Sequence, residues 1–161
     1  MNRTIVSRRA FLVSLSAAPA LGVGRARAQQ SLPPISVAKD PGCGCCTEWI
    51  KHLRASGFTV DVIESTYAKI DALKRQLGVP LALASCHTAV IESYVVEGHV
   101  PAGAIRRLLA EKPQGTGLAV PGMPVGAPGM ETPGAPPDVY DVILFGPGER
   151  RFARYRGAQE I

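Results

Sequence analysis

No apolar run in these 161 residues is long and clean enough to cross a membrane. The strongest, AFLVSLSAAPALGVG at residues 10–24, is short, softened by alanine and glycine, and broken by Pro19. It follows Arg3, Arg8 and Arg9 and closes on Ala26-Arg27-Ala28, so residues 1–28 read as a secretory leader. The paired arginines of SRRAFL, residues 7–12, give that leader the form of a twin-arginine export signal. No membrane insertion is expected once it is removed.

Nor does the chain keep an excess of charge of one sign. Five of the 18 basic residues (Arg3, Arg8, Arg9, Arg25, Arg27) and none of the 13 acidic ones lie in residues 1–28, leaving 13 against 13. The formal charge of +5 therefore belongs to the leader. With it goes any electrostatic footprint for nucleic acid or an anionic lipid surface, and both partner classes are excluded. Internal repeats are also missing, as are the two C-x-x-C knuckles of a zinc ribbon.

What remains is ordered simply. Residues 29–34, QQSLPP, read as a linker, 35–156 as one domain and 157–161 as a tail. ISVAK (35–39) is a β-branched run and predicts a strand, and DPGCGCC is the turn after it. A helix is predicted from Cys46 to Ala55 with Trp49, Ile50 and Leu53 on one face, stopped by Gly57. FTVDVIE (58–64) alternates as a strand, and 66–78 carries Tyr67, Ile70, Leu73 and Leu77 at helical spacing. A strand or hairpin follows around Thr88–Ile91 and Tyr94–Val96, then a helix over 102–112 and an irregular proline- and glycine-rich segment over 113–137. VYDVILF (139–145) and RRFARYR (150–156), joined by GPGE, predict a closing hairpin.

This order predicts an α/β fold: a thioredoxin-like sandwich with an inserted strand/hairpin–helix segment and a C-terminal β-hairpin. The cysteine turn falls at the first strand-to-helix junction, where ligands gather in open α/β sheets and where a helix N-terminus favours thiolate. Such a fold often has a cis proline before its closing hairpin, here expected at Pro121 or Pro124.

The chemistry lies in sulfur. Cys43, Cys45 and Cys46 crowd into four positions, with Cys86 the fourth cysteine. Exported cysteines ordinarily pair as disulfides. A bridge between neighbours Cys45 and Cys46 strains the peptide, and Cys43–Cys45 would close a tiny ring. One comfortable bridge is expected, from one of the three to Cys86, with two thiols left over. Thiols this close cannot surround a single tetrahedral ion well, but they can hold several soft ions with sulfurs shared, which suits Cu(I).

Other soft donors stand nearby in sequence. SCHT sets His87 beside Cys86, EGHVP supplies His99 at a turn before a helix, and His52, in mid-helix, reads as a solvated face residue. Met123 and Met130 both sit in a Pro-Gly-Met frame within the irregular segment rather than at a core period. Thioether is a soft ligand that survives oxidising conditions, and Met123 is favoured because Pro121 and Pro124 stiffen its backbone.

Together DPGCGCCTEWIKHL, ASCHTAVIESYVVEGHVPAGAIRRLL and GLAVPGMPVGAPGME, in this order, resemble the CopG-type periplasmic copper-resistance family, a domain long catalogued as of unknown function. The likeness runs across nearly all of residues 35–156. It implies a thioredoxin-like fold, a C-x-C-C motif binding more than one Cu(I) through shared sulfurs, and a role in handling excess copper outside the cytoplasm. It also implies interconversion of Cu(I) and Cu(II), and other periplasmic copper-handling proteins as partners. By motif, Cys43, Cys45, Cys46 and Cys86 are the cluster thiols; His87, His99 and Met123 join them as metal ligands by inference from their chemistry. Two other readings stay open: a thiol–disulfide oxidoreductase using the C-x-x-C spacing of Cys43 and Cys46, and a zinc-stabilised structural domain.

Overall fold

The β-branched run after the linker forms strand β1 (Ile35–Lys39), the anchor of the fold. The structure is a computed structural model that describes residues 31–161; the expected export signal, 1–28, lies outside them. The chain continues through helix α1 (Gly44–Ala55), β2 (Val60–Glu64), α2 (Tyr67–Gln76) and a single 3₁₀ turn at Leu81–Leu83. Then come β3 (Thr88–Ile91), β4 (Tyr94–Glu97), α3 (Ala102–Glu111), β5 (Gly117–Ala119), β6 (Val139–Phe145), β7 (Arg150–Arg156) and β8 (Gln159–Glu160). It is a mixed α/β fold on one eight-stranded sheet, ordered β2-β1-β3-β4-β5-β6-β7-β8.

Two strand–helix–strand crossovers shape that sheet. β1 and β2 run parallel on either side of α1, and β4 and β5 run parallel on either side of α3. Parallel neighbours need such a crossover, whereas the antiparallel β3–β4 and β6–β7 pairs are joined by short turns. β5 was not legible as a strand, since Gly-Leu-Ala has little strand propensity. It forms because α3 returns the chain beside β4, pairing Val95 with Gly117 and Val96 with Leu118. β8 lies in the predicted tail and pairs with Tyr155 and Arg156.

Alternation along the strands separates two apolar layers. Val96, Leu118, Val142 and Leu144 join α1 and α3 in the main core, which includes Trp49, Leu53, Ile105 and Leu108. Their neighbours Val95, Ala119 and Phe145 point to the other face, beside Val79 and Leu83. Hence all four residues of β4 are buried. α2 lies on this second face, where Lys74 reaches Thr88 and Glu97.

One expectation fails. No cis peptide bond occurs among the described residues, so neither Pro121 nor Pro124 takes that form. Gly122, at φ +72°, turns this segment instead.

Candidate metal centre

Three segments converge on the sulfurs. The first is the turn from β1 into α1: Gly42 N donates to Asp40 Oδ1 at 2.9 Å and Cys43 N to Asp40 O at 3.0 Å, folding the chain back at once. Helix α1 starts two residues earlier than its apolar spacing predicts, so Cys43 is the N-cap and Cys45 and Cys46 lie in the first turn. Thr47 Oγ1 donates to Cys43 O at 3.2 Å and ties the cap down. Cys43 and Cys46 are buried, and Cys45 is half-buried.

The second segment carries Cys86 and His87 from the 3₁₀ turn into β3; the third is the turn holding His99 between β4 and α3. Cys45 Sγ lies 3.6 Å from Cys43 Sγ and 3.9 Å from Cys86 Sγ. Cys86 Sγ in turn lies 3.3 Å from His87 Nδ1 and 3.4 Å from His99 Nε2. Two donor groups result, Cys43/Cys45/Cys46/Cys86 and Cys86/His87/His99, each with its ligand atoms within 4.8 Å of one another. Cys86 belongs to both.

Cys43 and Cys46 are joined as a disulfide, Cα to Cα 5.4 Å. This corrects the expected bridge to Cys86. One helical turn brings positions three apart onto the same side at a separation a disulfide spans, and the N-cap residue lies close enough to use it. Cys45 and Cys86 are the free thiols.

The imidazoles are set up as donors. His99 Nδ1 lies 2.7 Å from the Pro128 carbonyl. A carbonyl only accepts, so Nδ1 carries the proton and Nε2 presents its lone pair towards Cys86. Burial holds His99 below the ordinary histidine range, against the opposing pull of the Pro128 carbonyl and Glu131. Burial, then His99 and Lys74, holds His87 well below it. His87 packs against Trp49 with ring centroids 4.3 Å apart, and its Nε2 is buried without a hydrogen-bond partner. Cys86 is pushed up to about 11, first by burial and then by Cys45.

The methionines separate. Met123 is 57% exposed, outside both donor groups, although its loop touches the site where Ser85 Oγ donates to Gly122 O at 3.3 Å. Met130 is half-buried against the main core. Its neighbour Gly129, at φ +85°, presses so close to α1 that an added Cβ would stand 2.6 Å from Trp49 N and 2.7 Å from Cys45 O. The repeated Pro-Gly-Met frame signalled that this segment matters; the packing of Met130 had no such signal.

Sequence reasoning also missed residues behind the site. His52 is not solvated: it is half-buried, burial holds it below the ordinary histidine range, and its Nε2 accepts from Ala102 N at 3.2 Å, at the start of α3. Lys74 and Glu97 form a buried ion pair at 2.5 Å. Nothing in their spacing announces it, since they are 23 residues apart on a helix and a strand.

Fold and donors together define a mixed α/β protein whose strand-to-helix turn gathers thiol and imidazole, the ligands of soft metals and of thiol redox chemistry. Two solved structures, titled "Copper resistance protein copG- Form 1" and "Form 2", are both 45% identical to this chain, with TM-scores of 0.71 and 0.70. They cover 78% and 77% of this chain and 99% and 98% of their own. The chain belongs to the CopG copper-resistance family. A family model described as "Protein of unknown function, DUF411" matches residues 83–130, the span from the 3₁₀ turn to Met130. No curated protein matches the chain.

Proposed function

We propose that this chain is a periplasmic copper-binding protein of copper resistance, holding Cu(I) between shared thiolates. The observation that carries the reading is the meeting of four cysteines and two histidines in two donor groups joined at Cys86. Cu(I) accepts few ligands and prefers soft ones, and a sulfur common to both groups suits more than one ion. The relatives' titles name copper resistance, which agrees with this donor chemistry.

With Cys43 and Cys46 bridged, two thiols remain; reduction returns four. The pair also offers a balanced route for interconverting the metal. Two Cu(II) take one electron each as the two thiols lose their protons and close the S–S bond; the reverse opens it. Met123 enters the donor set by rotation of an exposed side chain on a loop already tied to Ser85. The leader at residues 1–28 supports export, by the twin-arginine route, to a compartment shared with other copper-handling proteins. The parallel β1–α1–β2 unit with cysteines at its turn supports the thioredoxin-like assignment.

Anaerobic titration of the reduced protein with Cu(I), and separately with Zn²⁺, against a competing chelator tests the proposal. More than one copper per chain is expected to be retained, and Cys45→Ser should lower that number without preventing the Cys43–Cys46 bridge. Unchanged copper uptake in Cys45→Ser would refute sulfur sharing, and tight zinc with weak copper would indicate a structural zinc site. The Cys43–Cys46 bridge at a helix N-terminus favours a second reading, a thiol–disulfide oxidoreductase. Reduction of insulin disulfides without metal retention would establish it.

A further inference from the structure

Glu97 is fully buried, and its carboxylate is held from three sides. Oε1 accepts from Lys74 Nζ at 2.5 Å and from the backbone N–H of Ser85 at 2.6 Å; Oε2 accepts from the Thr88 hydroxyl. Lys74 Nζ also donates to Thr88 Oγ1 at 3.2 Å. Lys74 and Thr88 are themselves 5% and 1% exposed. An ion pair removed this far from water is a poor source of stability, because the desolvation of both charges offsets most of their attraction. Its presence calls for another reason.

The positions supply one. Ser85 and Thr88 flank the Cys86–His87 dipeptide, and Glu97 stands two residues before His99. One carboxylate thus fastens both ends of the segment carrying two donors to the strand end that leads into the third. Gly98, between Glu97 and His99, seals the join: a Cβ there would stand 2.8 Å from Val120 O and 2.9 Å from Ser85 Cβ. From this we infer that Lys74, Glu97 and Thr88 form a buried clamp that positions Cys86, His87 and His99 as a donor group before metal arrives. They are positioning residues: their hydrogen bonds go to one another and to Ser85, not to a ligand atom of the group. Preorganisation of this kind sets affinity, since the ordering of the donors is complete before binding. The inference rests on the copper-binding reading for its metal readout alone; its thiol readout stands without it.

The test needs two variants that pull stability and positioning apart. In the triple variant Lys74→Met/Thr88→Val/Glu97→Leu, apolar side chains replace the whole network, which preserves folding where removal of one partner does not. The Ser85 N–H then has no anchor. Its thermal midpoint should match the parent, while Cu(I) affinity falls by about 10–100-fold. Alkylation of Cys86 in the reduced, metal-free protein, read by peptide mass, should accelerate by a similar factor as the loop opens. Glu97→Gln is the converse: its amide oxygen still accepts from Ser85 N while Lys74 loses its counter-charge. It should lower the midpoint yet leave both site readouts within about twofold of the parent, the position of Cys86 being kept. Site readouts that follow the midpoint in both variants, or a triple variant with parental alkylation and affinity, would overturn the clamp. A parent protein that takes up no copper would instead refute the functional proposal, and the alkylation rates would still decide the clamp.

Discussion

Cys86 is the residue that the two donor groups share, and it is protonated at the point where the proposed site would need it as a ligand. Burial, and then the neighbouring Cys45, push its thiol up to about 11. A metal must therefore displace its proton at any pH below that value. The histidines behave oppositely: burial holds His87 and His99 below the ordinary histidine range, so both are neutral at pH 7 and release no proton on binding. The sign follows. Apparent Cu(I) affinity should rise with pH across 7–9, Cys86 alone contributing about tenfold per unit, and fall on acidification. Chelator competition at several pH values measures the slope, and Cys86→Ser should reduce it by about one proton per chain. A slope that is flat in the parent, or unchanged in Cys86→Ser, would contradict the protonated Cys86.

At the scale of elements, the site is a meeting of turns held down by helices. The start of α1 is gripped from above by the loop 127–131, where Ala127 and Met130 close a tight turn, Met130 N to Ala127 O at 2.7 Å, and Glu131 accepts from Gly129 N at 2.9 Å. The Pro128 carbonyl on that turn sets the His99 tautomer, so the loop and the imidazole are mechanically one unit. Gly129 is the contact point, with φ +85° and no room for a Cβ against the α1 backbone. Gly129→Ala should cost about 1–3 kcal/mol in chemical denaturation and weaken copper binding, since the Pro128 carbonyl must move off His99. Gly148→Ala is the control: nothing lies within 4 Å of an added Cβ there and its φ is ordinary, so its effect should stay within about 0.5 kcal/mol. Equal effects of the two substitutions would show that the loop does not grip the helix.

For the whole molecule, what could be read in advance divides along the range of the interactions. Strands β1, β6 and β7 and the three helices follow from local periodicity and keep nearly their predicted bounds. The four cysteines, His87 and His99 were legible because soft donors are rare and stood out by type. β5, the Lys74–Glu97 pair, the Ala102–His52 bond and the inward turn of Met130 were not, because each exists only once distant segments are brought together. The Cys43–Cys46 pairing was legible only through its C-x-x-C spacing, as the oxidoreductase reading used it; the expected bridge to Cys86 failed for a local reason, the two extra residues at the start of α1. The donor groups tie the turn after β1 to the segments before β3 and after β4, so metal bound there links parts of the sheet that unfolding must separate. A ligand that binds the folded state alone adds stability by mass action, about 4 kcal/mol at a free concentration a thousandfold above Kd. For a domain of this size that is a rise in thermal midpoint on the order of 10–20 °C. The reduced protein should show it with Cu(I) under anaerobic calorimetry. A Cys43→Ser/Cys46→Ser form, which keeps only Cys45 and Cys86 as thiols and has no bridge for Cu(I) to open, should show a clearly smaller rise. Equal shifts in the two forms would mean that Cys43 and Cys46 contribute nothing as ligands, and that metal is held by Cys45, Cys86 and the histidines alone.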